Sequence, residues 1–133
     1  MPARGEPRRA DGLWKHTCFE AFISDANSGG YAEFNCAPSG DWAAYHFASY
    51  RSEPLPLVLA QVPISTEIVT GRLRLAAELD LGCLPGGYRR PFALGLAAVL
   101  EGADGELGYW ALAHPAEFAD FHDRRGFLLQ LSC

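Results

Sequence analysis

"GLWKHTCFEAFI", residues 12–23, and "YAEFNCAPSGDWAAYHF", residues 31–47, decide how this chain folds. Both runs alternate with a period of two, the spacing of strands whose side chains point to opposite faces. Glu20 interrupts the first run in the middle of apolar neighbours. Its direction sets the face of every other residue, because a one-residue slip in pairing moves a whole strand's side chains across the sheet.

Two registers are open for the first pair of strands. One sets Glu20 beside Phe34 and Cys18 beside Cys36, which mixes charge into both faces. The other collects Phe19, Ala21, Ile23, Ala32, Phe34 and Cys36 on one face. The second is preferred, because an unpaired carboxylate in a core costs several kcal/mol. It also sets Cys18 and Cys36 on opposite faces, out of reach of a disulfide. "PSGD", 38–41, reads as a four-residue turn that pairs Ala37 with Trp42. The core face then continues through Ala43, Tyr45 and Phe47. Asn35 pairs with Ala44 and Glu33 with His46. The opposite face carries Trp14, His16, Glu20, Tyr31, Glu33, Asn35, Trp42, His46 and Tyr50. Flat aromatic rings beside fixed hydrogen-bonding groups are a surface on which sugars stack and are held.

Further along, strands are expected over 13–23, 31–37, 42–50 and 72–81, with irregular strand over 57–70 broken at Pro63. A hairpin over 92–101 and 106–113 should turn at Asp104-Gly105. "HPAEFADFHD", 114–123, reads as loop, and 127–133 as a closing strand. About eight strands with frequent turns suggest an all-β, antiparallel two-sheet β-sandwich, immunoglobulin-like or jelly-roll-like.

The chain has 133 residues, 49% hydrophobic and 20% charged, enough for one globular domain. Its formal net charge of -5 disfavours nucleic acid and anionic membranes as partners. No apolar run has the length of a membrane span. The polar lead-in 1–12 lacks the apolar segment of a secretory signal, so a cytoplasmic protein is expected. Cys18, Cys36, Cys83 and Cys133 form no CxxC pair and are expected as buried free thiols.

Four blocks together, "LWKHTCFEAFI", "YAEFNCAPSGDW", "GYWALAHP" and "FADFHD", resemble the DOMON-like domains of bacteria, relatives of carbohydrate-binding module family 9. The resemblance runs from Leu13 to the C-terminus. It implies a two-sheet sandwich and non-catalytic ligand binding, of sugars in one branch and haem in another. By that resemblance Trp14, Glu20, Glu33, Asn35 and Trp110 would form the sugar site, Trp14 and Trp110 stacking on the ring and Glu20 and Asn35 bonding its hydroxyls; Glu33 and its expected cross-strand partner His46 would tune or support it. Domains of this family begin with more strand-forming sequence before the "LW" block. Either the sandwich lacks an N-terminal edge strand, or the chain starts inside a longer domain. An exposed edge would favour a homodimer.

The haem branch ligates iron with Met and His or Lys, and the only Met here is Met1. A bis-His site would need two of His16, His46, His114 and His122. Neither calcium nor haem finds a specific ligand set, so no cofactor is assigned. The run containing His114, Glu117, Asp120, His122 and Asp123 fits no zinc spacing. Catalysis by a Glu20–Glu33 acid/base pair, as in glycoside processing, is the enzymatic alternative. A protein-interaction scaffold is the other. No catalytic residue is assigned.

Overall fold

The run around Glu20 forms strand β1, Cys18–Ser24, in the computed structural model of the chain. The structure describes residues 8–25, 30–85, 88, 92–111, 122 and 129–131, without the side chains of Trp14, Trp110, Ala111 and 129–131. β1 is preceded by a 3-10 turn, Leu13–Lys15, which shortens the strand expected from residue 13.

Eight more strands follow among the described residues: β2 (Tyr31–Cys36), β3 (Trp42–Phe47), β4 (Leu55–Pro56), β5 (Ile64–Val69), β6 (Arg72–Ala77), β7 (Phe92–Glu101), β8 (Leu107–Ala111) and β9 (Leu129–Leu131). They form a seven-stranded sheet, ordered β4-β3-β2-β1-β7-β8 with β9 also on β7, and a two-stranded sheet β5-β6. Every named pair is antiparallel, so the architecture is all-β and antiparallel.

β1 and β2 adopt the register that keeps the apolar face clean. Phe19 pairs with Cys36, Ala21 with Phe34 and Ile23 with Ala32. Cys18 and Cys36 therefore lie on opposite faces, and both are free thiols. Cys83 is free as well, whereas Cys133 lies outside the described residues.

β3 departs from the expected register by one residue. Cys36, not Ala37, pairs with Trp42; Asn35 pairs with Ala43 and Glu33 with Tyr45. The cause is the turn. The Ala37 N–H donates to the Asp41 carbonyl at 2.9 Å, and the Gly40 N–H to the Ala37 carbonyl at 2.9 Å. The loop is thus three residues, Pro38–Gly40, and its last residue takes the left-handed φ of 98° that glycine adopts without strain. The slip carries Trp42 and His46 to the Ile23 face, and Tyr45 and Phe47 to the Glu20 face.

The main core lies on the Ile23 face. Ile23, Phe34, Trp42, Ala44 and Phe92 are buried there with Leu57 and Val62 of the connecting segments. Ile64 of β5 and Leu75 of β6 pack against this cluster. In β6 the expected period of two holds over the first four residues, with Leu73 and Leu75 half-buried and Arg72 and Arg74 exposed, but Ala77 is exposed and the strand ends there, short of the expected residue 81. Burial of a side chain such as Phe34 stabilises by about 2–3 kcal/mol. Arg9 pins the N-terminal segment onto this core. Its guanidinium donates to the carbonyls of Leu57 at 2.7 Å and Ala44 at 2.5 Å, and lies 5.1 Å from the Trp42 ring centre.

The β7–β8 hairpin turns where Asp104-Gly105 predicts. The Gly102 N–H donates to the Glu106 carbonyl at 2.8 Å, and Asp104 Oδ1 accepts the Glu106 N–H at 3.0 Å. Among the described residues no helix is long and apolar enough to cross a membrane.

Candidate functional site

The Glu20 face is buried too, which the alternation of β1 and β2 does not reveal. Relative exposure is 7% for Glu20, 5% for Glu33 and 0% for Asn35. Glu20 and Asn35 are direct cross-strand partners, and Glu33 lies two residues before Asn35 on the same face of β2. Three polar side chains are therefore concentrated under one roof.

Glu33 is well held. Its Oε2 accepts from Asn35 Nδ2 at 2.9 Å, and its Oε1 lies 3.0 Å from His122 Nε2. His122 Nδ1 lies 2.7 Å from the Tyr31 hydroxyl, whose oxygen accepts the Arg51 backbone N–H at 3.0 Å. A neutral imidazole protonated on Nε2 satisfies each of these contacts: it donates to Glu33 and accepts from Tyr31. The ring is clasped edge-on by three aromatics. Its centre lies 5.2 Å from that of Phe22, 5.6 Å from that of Tyr31 and 5.1 Å from that of Phe47. Tyr31 and Phe47 stack on each other with centres 4.8 Å apart and planes 13° apart. The expected partner of Glu33, His46, is on the other face, paired with Ala32 and Leu55.

Glu20 differs in kind. It has no hydrogen-bond partner among the described residues. Burial first, and the neighbouring Glu33 second, push its carboxyl up to about 8. At neutral pH it is mostly the uncharged acid. Asn35 Oδ1, buried beside it, also has no partner among the described residues. Cys18, on the same face, is held well above the usual thiol range by burial, with Glu20 adding to the effect.

Glu20 and Glu33 open onto a cavity of about 650 Å³. Its walls come from several elements: Tyr45 and Phe47 from β3, Val99 from β7, Tyr109 from β8, Arg51, Ser52 and Pro54 from the β3–β4 connection, Asp11 at the N-terminal rim, and His122. The Tyr45 hydroxyl donates to Asp11, and burial together with this bond pushes the phenol upward. The site can offer carboxyl oxygens from Glu20 and Glu33, aromatic rings from Tyr45, Phe47 and Tyr109, and the guanidinium of Arg51.

The residues picked out in the sequence divide as follows. Glu20 and Glu33 line the cavity, and Asn35 buttresses Glu33 from below. The side chains of Trp14 and Trp110 lie outside the described ones. The Trp110 backbone pairs with Ala98, one position along from Tyr109, which does line the cavity. His16 is exposed and pairs with Glu101 at 2.7 Å. His46 and His122 occupy opposite faces of the sheet, and His114, Glu117, Asp120 and Asp123 lie outside the described residues. Among the described residues no three His, Cys, Asp or Glu side chains cluster as a metal site requires.

Sequence reading missed Tyr45 and Phe47, which the four-residue turn sent to the core, and also Asp11, Arg51 and Tyr109; it weighed His122 only as a haem or metal ligand. The glycine at the end of "PSG" was the available signal for the first two. Compared with family models, curated proteins and solved structures, the chain finds no match.

Proposed function

We propose that this chain is a DOMON-like β-sandwich, of the immunoglobulin-like or jelly-roll-like kind, that binds a small ligand without transforming it. Carbohydrate is the ligand class put first. The observation that carries the reading is the convergence of Glu20 and Glu33 with the rings of Tyr45 and Tyr109 on one cavity of about 650 Å³. Such a volume suits a mono- or disaccharide-sized ligand. Rings take the apolar C–H faces of a sugar, and carboxyl groups take its hydroxyls. Packing of Ile64 of β5 and Leu75 of β6 against the main core supports the sandwich reading.

Calorimetric titration with mono- and oligosaccharides tests the reading. Heat of binding that disappears in Tyr109→Ala is expected. A flat titration across the whole panel would sink it.

One observation favours a second reading, glycoside processing. The two acids on the wall have different surroundings, Glu33 hydrogen-bonded and Glu20 unbonded and raised, as an acid and its partner base require. Release of nitrophenol from aryl glycosides, lost in Glu20→Gln, would move the assignment there.

A further inference from the structure

We propose that the cavity selects ligands carrying a protonated amine, with the ammonium seated at the Glu20 carboxyl. This rests on the cavity being a ligand site, and it narrows the ligand class from sugars in general to amino sugars.

Three observations carry it. First, Glu20 is more than nine-tenths buried, lines the cavity and has no hydrogen-bond partner among the described residues. A buried polar group without a partner is costly, and one that faces a cavity is satisfied by what enters. Second, Glu33 shares the wall and Asp11 the rim, so three carboxyl groups line the cavity against a single arginine, Arg51, among the described residues. Glu33 is already bonded by Asn35 and His122, and Asp11 by Tyr45. Glu20 is left as the acceptor to be filled. Third, the aromatic residues Tyr45, Phe47 and Tyr109 also line the cavity, and an aromatic ring attracts a cation placed over its face.

A neutral hydroxyl brings one donor to Glu20 and no charge. An ammonium brings three donors and a positive charge, so it can stabilise the ionised carboxylate beside Glu33. Charge-assisted hydrogen bonds are about twice as strong as neutral ones. The gain depends on the ligand's charge, so an N-acetyl group of similar placement does not reproduce it.

The test is a calorimetric comparison of glucosamine, glucose, N-acetylglucosamine and spermidine at pH 7 and low salt, on the wild-type chain and on Glu20→Gln. Glucosamine is expected to bind at least about tenfold tighter than the two neutral sugars. In Glu20→Gln, checked for folding by its melting curve, the advantage should shrink to less than about twofold. Equal binding of all three sugars by the wild-type chain overturns the amine proposal and leaves the carbohydrate reading standing. Binding of spermidine but of no sugar supports the amine site and removes the carbohydrate reading. An advantage retained in Glu20→Gln overturns the assignment to Glu20. No binding of any of the four overturns both.

Discussion

Glu20 and Asn35 face each other across β1 and β2, both buried, with no hydrogen bond between them. The amide nitrogen of Asn35 is committed to Glu33, and its oxygen is left without a partner. Beside an orphan acceptor and away from water, the Glu20 carboxyl is favoured in its protonated form.

A pH dependence of stability follows. The unfolded chain releases the Glu20 proton near pH ~4.3. The folded chain holds it to about 8. Below the unfolded value this group costs the fold little. As pH rises from the unfolded value through the folded one, stability is lost, by on the order of 5 kcal/mol in all. Urea unfolding at pH 5 and pH 8.5 should show this decline in the wild-type chain and a flatter profile in Glu20→Gln. Equal slopes in the two proteins would refute it.

Removal of the Tyr31 hydroxyl should loosen the clasp on His122. Tyr31→Phe keeps the stack on Phe47 but deletes the partner of His122 Nδ1 and of the Arg51 N–H. A loss of about 1–2 kcal/mol is expected by chemical denaturation. Phe22→Ala leaves the hydrogen bonds and opens the aromatic wall, at about 3–5 kcal/mol.

Much of β1 and β2 was legible because one register alone keeps Phe19, Ala21 and Ile23 beside Cys36, Phe34 and Ala32. β3 was not legible in the same way. Trp42, Ala44 and His46 make as plausible a core face as Ala43, Tyr45 and Phe47, so the strand's own composition does not choose. Only the turn does, and one residue of loop length separates the two answers. Burial of the Glu20 face was hidden for a different reason. Its cover includes His122, whose contacts with Tyr31 and Glu33 span some ninety positions of chain, beyond any local pattern.

Arg9 gives a mutational test of how the N-terminal segment is held. Arg9→Lys keeps the charge but loses the two-pronged reach to the Leu57 and Ala44 carbonyls. It should cost about 1–2 kcal/mol, nearly as much as Arg9→Ala. A lysine variant as stable as wild type would show that charge over Trp42, not the paired bonds, holds the segment.

Thiol labelling should rank the cysteines. Cys18 and Cys36 are buried, and burial pushes the Cys36 thiol up to about 11. Cys83 is less buried. Brief alkylation with iodoacetamide followed by peptide mass mapping should modify Cys83 well before the other two. Equal rates would mean that the sheet opens on the labelling timescale.

The three-residue Pro38–Gly40 loop decides which side of β3 lines the cavity and which joins the main core. Insertion of one residue there would exchange Tyr45 and Phe47 for Trp42 and His46 along the entire strand, without altering a letter of it. Divergent copies of this sequence can therefore preserve β3 perfectly and still present a different cavity wall. An alignment that slides a gap across this loop would hide that change.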